Sequence, residues 1–284
     1  MATKTTHTGY YVLLLKTFIS FGLKNASAAI FGGYLLAIML VTRFYYPDIF
    51  LHRYDFIFIA AIFFQLTLLA LKFETPKEAL VIFIFHLIAT GMELFKTSDT
   101  IQSWYYPEEY TFGIGNVPLF TGFMYSAVGS YIVRSFKVFD LKFSGYPSTV
   151  FTLLISISIY LNFFSHHYMI DLRWPIIALI LFYFHPTKIH YRTLKAYHRM
   201  SLVFGWFLVA LFIWLAENVA TFTNIWLYPN QTNGWQPVSF GKMSSWFLLI
   251  ALSFILVSFI HKTSIRSTIK NMSSKRGMIG LDVF

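Results

Sequence analysis

Long apolar blocks separated by short polar breaks run the length of the chain. Eight of them approach or reach the roughly 20 residues that a helix needs to cross a bilayer core of about 30 Å. They are Ala26 to Phe44, Tyr54 to Lys72, Lys77 to Phe95, Pro118 to Arg134, Ser148 to Phe164, Met169 to His185, Met200 to Glu217 and Pro237 to His261. The sixth is the weakest, because Pro175 and Pro186 confine its uninterrupted run to Trp174 through Phe184. The pattern predicts an all-α, polytopic membrane protein.

The basic residues sharpen this picture. With both termini cytoplasmic, seventeen Lys and Arg fall inside, only Arg43, Arg53, Lys96 and Arg173 fall outside, and Lys242 lies within the last block. This asymmetry fits the positive-inside rule, and it holds only if the sixth block crosses fully. Eight spans in a multi-pass cell-membrane protein are therefore expected. An apolar run from Tyr10 to Leu23 precedes the first span and is interrupted by Lys16, with Lys24 at its end. That reads as an interfacial amphipathic segment over residues 1–25 rather than a signal peptide. The basic, Ser-rich residues 262–284 read as a cytoplasmic topology anchor or a loose contact with anionic lipid.

Composition agrees. Of 284 residues, 57% are apolar, 20% aromatic and only 12% charged, with mean hydropathy +0.61. A soluble domain of this size carries about 25% charged residues. The net charge of +10 is dispersed over the loops, so no nucleic-acid partner is expected. The chain has no cysteine, which excludes disulfides, thiol nucleophiles and thiolate metal ligands.

The two parts of the chain share an ordered set of residues. Glu93, Trp104-Tyr105-Tyr106-Pro107 and Pro118 to Ser126 are answered by Glu217, Trp226-Leu227-Tyr228-Pro229 and Pro237 to Ser245. Both series read Glu, WxYP and PxxxGxMxS. With this composition WxYP arises by chance at about 5 positions in 100,000, so two copies point to a duplication. Four spans per copy make the repeats (26–136 and 148–261) parallel, related by a pseudo-twofold axis along the membrane normal, with a shared site between them. Pro118 and Pro237 suit the first helical turn. Gly122 with Ser126, and Gly241 with Ser245, are spaced for close helix packing, and Ser130 extends the first stripe.

Carboxylates inside a span cost on the order of 2.5 to 3.5 kcal/mol at the helix centre, so Glu93 and Glu217 need partners. Lys96 stands three residues from Glu93 and offers a simple ion pair. For Glu217 the candidate is Lys242, read as about one turn into the eighth span, which alternatively snorkels to the headgroups. If the pseudo-axis brings the two glutamates together, double ionisation is disfavoured and an acid stands beside a base. His86, seven residues before Glu93 and about 10 Å deeper, is either a proton relay or a packed histidine. Unusual polar residues gather at the outer boundary: Glu93, Lys96, Glu108, Glu109, His166, His167, Arg173, Glu217, Asn218 and Lys242. Of these, His166, His167, Arg173 and Asn218 are read as substrate contacts. So are Trp104, Tyr106, Trp226 and Tyr228, whose alternative is an interfacial aromatic belt. The histidine boxes of membrane di-iron enzymes are absent, because His166 and His167 lie outside while His185, His190 and His198 lie inside. No metal or cofactor is expected.

The residues from Glu93 through Trp104, Pro107 and Val117-Pro118-Leu119-Phe120 to Tyr125, with Asn162 to His167 and Glu217 through Trp226 to Trp246, give the chain its family likeness. It resembles the YoaT-like bacterial integral membrane proteins, domain of unknown function 817, a family with no settled activity to carry over. Glu93, Tyr105, Tyr106 and Val117-Pro118-Leu119 are also similar to a pattern in membrane carotenoid hydratases. This chain lacks the glycines which that family has between the glutamate and the tryptophan, so the substrate does not transfer.

Three functions compete. The first is acid/base chemistry on an apolar lipid or isoprenoid, with aromatic faces steadying a cation. The second is a proton-coupled small-molecule transporter, and the third a non-catalytic lipid-binding or scaffold protein. Membrane lipid is the expected partner, and protein partners are not legible.

Overall fold

The structure is a computed structural model that describes residues 7–47 and 50–260, so the basic segment 262–284 and Lys4 lie outside the described residues. It is predominantly helical, with short strands in its connections. In chain order these are α1 (His7–Ala28), α2 (Ile30–Tyr45), α3 (Arg53–Ala70), α4 (Pro76–Lys96), β1 (Gly113–Ile114), β2 (Val117–Pro118), α5 (Thr121–Val138) and β3 (Lys142–Ser144). They continue with α6 (Thr149–Ser165), α7 (Arg173–Phe184), β4 (Lys188–Thr193), β5 (Ala196–Ser201), α8 (Leu202–Phe222) and α9 (Lys242–Ile260).

Helices α2 to α9 fall on the eight apolar blocks in order. Of these, α3, α4, α8 and α9 are long and apolar enough to cross a membrane, and α1 with α2 makes a fifth candidate bent by 72°. The bend falls at Ala29, between a run of small residues and the Gly32-Gly33 pair. Helices α6 and α7 are shorter. At about 1.5 Å per residue the 12 residues of α7 cover about 18 Å, so the helical part of the expected sixth crossing is well short of a bilayer core. Helix α1 covers most of the expected interfacial segment. Tyr11, Leu15, Phe18 and Leu23 are all exposed, while Phe21 packs on Phe139 and Tyr191.

Two connections depart from the all-α expectation. The basic stretch after α7 folds into a β4–β5 hairpin, Lys188 opposite Ser201 and Thr193 opposite Ala196, and β3 joins it through Phe143 and Ile189. Lys24 of α1 donates to the carbonyls of Val138 (2.8 Å) and Arg192 (2.7 Å), pinning α1 across this end. Pro118 does not open α5. It closes the β1–β2 ladder opposite Gly113, where a residue without an N–H is tolerated, and the helix begins at Thr121. Pro237 likewise precedes α9 by several residues, and Lys242 is the first residue of that helix rather than a turn inside it.

Local signals explain the boundaries. Thr75 caps α4 in a reciprocal box with Glu78, Pro76 occupies the first turn, and Glu78 also meets Lys137 of α5 at 2.6 Å. The small residues of α5 let α4 close on it. The Ser126 hydroxyl donates to the Gly122 carbonyl (2.8 Å), and Ser130 donates to the buried Glu74 (2.5 Å). Gly122 lies against the His86 ring, so a Cβ there would sit 2.4 Å from ring atoms. Two apolar clusters result. One spans α5 to α9 with β3 and β4 around Phe143, Phe184 and Trp206, and the other joins α2 and α3 to Phe120, Ala220 and Ile225.

Gly122→Ala is expected to lower stability by about 1–3 kcal/mol, the usual cost of overpacking a tight contact. Gly33→Ala, with open space at its Cβ position, should leave it nearly unchanged. Thermal melts of the detergent-solubilised protein compare the two, and equal melting temperatures would refute the account.

Candidate functional site

Glu93 lies in the last turn of α4 and Glu217 near the end of α8, and the folding of the two loops that follow decides their surroundings. Backbone pairing joins the WxYP loops. The Tyr105 N–H donates to Leu227 O (3.0 Å) and the Leu227 N–H to Tyr105 O (2.9 Å), so the second residue of one motif meets the second residue of the other. The first loop is also anchored from α3. Buried Asp55 accepts the N–H groups of Thr111 and Phe112, both at 2.8 Å. Buried Arg53 reaches Glu108 (2.6 Å), Thr223 O (2.9 Å) and Met39 O (2.8 Å).

Held this way, the loops turn aromatic donors onto the carboxylates. Glu93 is 1% exposed. Its Oε2 accepts from Trp104 Nε1 (2.9 Å) and the Tyr106 hydroxyl (2.5 Å), and its Oε1 from the Tyr125 hydroxyl (2.6 Å). Glu217, 2% exposed, accepts from the Tyr228 hydroxyl (2.5 Å) and Trp246 Nε1 (2.7 Å). Burial and the facing carboxylates push the Tyr106 and Tyr228 hydroxyls well above the usual phenol range, so they stay donors. The two cages touch, since the Trp104 and Tyr228 rings meet edge to face with centroids 6.3 Å apart. Lys242 Nζ lies over both, 4.3 Å from the Tyr228 centroid and 5.9 Å from that of Trp104.

Lys96 does not take the expected ion pair with Glu93. Its Nζ donates to His167 Nε2 (2.6 Å) and His166 Nε2 (3.3 Å) and lies 4.2 Å from the Phe163 centroid. His166 Nδ1 donates to Asn162 O (2.8 Å), which leaves its Nε2 lone pair for the ammonium. Asn162 and Asp171 knit this loop: Asn162 bonds Asp171 (3.1 Å) and the Leu172 N–H (2.8 Å), while Asp171 pairs with Arg173 (3.1 Å). Arg173 in turn donates to Ser244 of α9 (3.2 Å). Among the described residues no group of three or more His, Asp or Glu side chains is arranged to hold a metal ion.

Both cages and the Lys96 cluster border one cavity of about 1150 Å³, lined mostly by apolar groups. Glu93, Glu217, Lys96, Lys242, Trp104, Tyr106, Trp226, Tyr228, His166, His167 and Arg173 line its polar end. Along α8 its wall runs from Leu202 to Ala220, about 27 Å at about 1.5 Å per residue. Of the residues read in the sequence as catalytic or substrate contacts, His86 and Asn218 do not line it. The His86 ring is wedged between Gly122 and Phe123 on the α4–α5 seam, its Nδ1 buried without a hydrogen-bond partner. The Asn218 amide is spent on Trp214 O (2.8 Å) and the Val238 N–H (2.9 Å), fixing the approach to α9. Tyr125 and Trp246 enter the sequence reading only through the family likeness, with no site role. The available signal was their place beside the serine of PxxxGxMxS, one turn inside each helix.

A family model described as "Protein of unknown function (DUF817)" matches residues 17–254, which include both cages and every side chain named at the polar end. The chain belongs to this family. It is similar to the uncharacterized protein YoaT of Bacillus subtilis (strain 168), with 38% identity over 256 residues, 90% of this chain and 96% of that protein. No solved structure matches it.

Burial, Lys96 and His166 push the His167 ring down to about 4 from its ordinary 6.5. A histidine lowered on folding contributes stability above about pH 6.5 that is lost as pH falls toward 4, because the unfolded chain takes the proton first. The melting-temperature gap between the wild type and His167→Asn should therefore narrow from pH 7 to pH 4. A gap unchanged across that range would refute the assignment.

Proposed function

We propose that the protein is an eight-span enzyme of the cell membrane that carries out acid/base chemistry on an apolar lipid or isoprenoid. In this reading α2–α5 and α6–α9 are parallel repeats, both termini are cytoplasmic and the WxYP loops lie toward the outer leaflet. The substrate chain occupies the long apolar cavity, and its reacting end reaches the two glutamates. One carboxyl donates a proton to the substrate, and the other, across the Trp104–Tyr228 contact, serves as acceptor. Trp104 and Tyr228, which already hold the Lys242 ammonium, offer the aromatic faces that would steady a developing positive charge. The carrying observation is that Glu93 and Glu217 border one chain-shaped, mostly apolar cavity. Such cavities with a few convergent polar groups are the usual form of small-molecule sites, commonly about 300–1,000 Å³.

Transport is favoured by a different feature of the same cavity. It extends from Lys242 at one end of the bundle to Tyr191 of the hairpin at the other, as a through-path requires. Proton uptake by proteoliposomes on adding candidate solutes tests that reading, and a flat pH trace across a broad panel counts against it.

For the enzyme reading, mass spectrometry of lipids and pigments compares cells lacking the protein with cells overproducing it. Overproduction should shift at least one apolar species. Glu93→Gln and Glu217→Gln should each abolish the shift, since a lost general acid or base costs about 10²–10⁴-fold in rate. Identical lipid profiles in every strain would overturn the proposal.

A further inference from the structure

The polar end of the cavity pairs its charges unexpectedly. Two glutamates and two lysines border it, yet among the described residues neither lysine is in ion-pair contact with a carboxylate. The carboxylate oxygens are instead met by uncharged donors: Trp104, Tyr106 and Tyr125 on Glu93, and Tyr228 and Trp246 on Glu217. The ammonium of Lys96, 4% exposed, rests on two imidazole nitrogens and an aromatic ring, and that of Lys242 on two aromatic rings. None of those neighbours neutralises a positive charge. Arg173 beside them already has Asp171. An ammonium in such surroundings with no carboxylate in contact is poorly stabilised, and an anion that arrives with its own charge and acceptor oxygens supplies the missing contact.

We propose that this end receives the anionic head group of a chain lipid, gripped between Lys96 and Lys242, while its hydrocarbon chain fills the cavity behind. The inference rests on the reading of the cavity as a lipid-chain site and adds the class of ligand. A neutral isoprenoid would bring neither ammonium an anion in direct contact. A free inorganic anion would satisfy them and leave the apolar length of the cavity unused.

Binding to the full-length, detergent-purified protein is measured with three probes: farnesyl phosphate, farnesol and inorganic phosphate. Farnesyl phosphate should bind at least about tenfold more tightly than farnesol, the margin of about 1.4 kcal/mol expected for new charge-assisted hydrogen bonds. Lys96→Met and Lys242→Met should each bring the phosphate ester to the affinity of the alcohol without changing farnesol binding, which reports an intact cavity. Lys96→Arg should keep the preference. Equal affinity for ester and alcohol, or a preference indifferent to both lysines, would overturn the head-group assignment alone. Displacement of farnesyl phosphate by a similar concentration of inorganic phosphate would assign the lysines to a soluble anion and also overturn it. Failure of both farnesyl compounds to bind would remove the lipid-chain reading as well.

Discussion

Two carboxylates buried in an apolar helix bundle must be satisfied by something, and here aromatic hydrogen-bond donors meet that requirement. Phenol and indole groups can enter a dry interior at little cost when their single polar atom finds a partner, and Glu93 and Glu217 supply five such acceptor positions between them. Much of the architecture at that end serves the arrangement. Trp104 and Tyr106 reach Glu93 only because their loop is clasped by Asp55, Arg53 and the strand-like pairing with Leu227. Tyr125 and Trp246 reach their carboxylates only because α5 and α9 begin beside the same loops. The Arg53–Glu108 pair, with Glu108 partly exposed, is a weak source of stability by itself, but losing it would loosen the loop's hold on α3.

The parts of the fold visible in the sequence are those written locally. Hydropathy located α2 to α9, because a block of apolar residues reports its surroundings without help from distant chain. Glu93 and Glu217 stood out because each breaks such a block. The aromatic donors Tyr125 and Trp246 did not, since with 33 Phe, 18 Tyr and 7 Trp one more aromatic carries no contrast. Position on a helix also proved a poor guide to partners. Lys96 is one turn from Glu93, yet its ammonium turns to His166 and His167, which are remote in sequence. His86 shares a helix with Glu93 but sits on the seam with α5, where Gly122 makes room for it. The hairpin was hidden because its charged residues spoke to topology first, and Pro118 was misplaced because a proline suits a strand edge as well as a first helical turn.

The matched residues 17–254 contain the whole lining of the cavity, from Phe18 in α1 to Phe254 in α9. That lining explains why α5 and α9 differ so much in composition. Along α5 Gly, Ser and Tyr residues form the contact with α4 and hold Glu93, whereas α9 is almost uniformly apolar beyond its first turn and presents Leu248, Leu252 and Phe254 to the cavity wall. Each face of the bundle is thus specialised either for close helix contact or for bordering the internal space.

The paired peptide groups of Tyr105 and Leu227 carry a mechanical consequence. They belong to loops that follow α4 and α8, so any swing of the first helices against the last must either break both bonds or turn about them. Turning keeps both bonds and is the cheaper course. The carboxylate end of the molecule then acts as a fulcrum, and widening of the interior falls to the opposite end, where α1 meets the hairpin through Lys24 and the Phe21–Tyr191 contact.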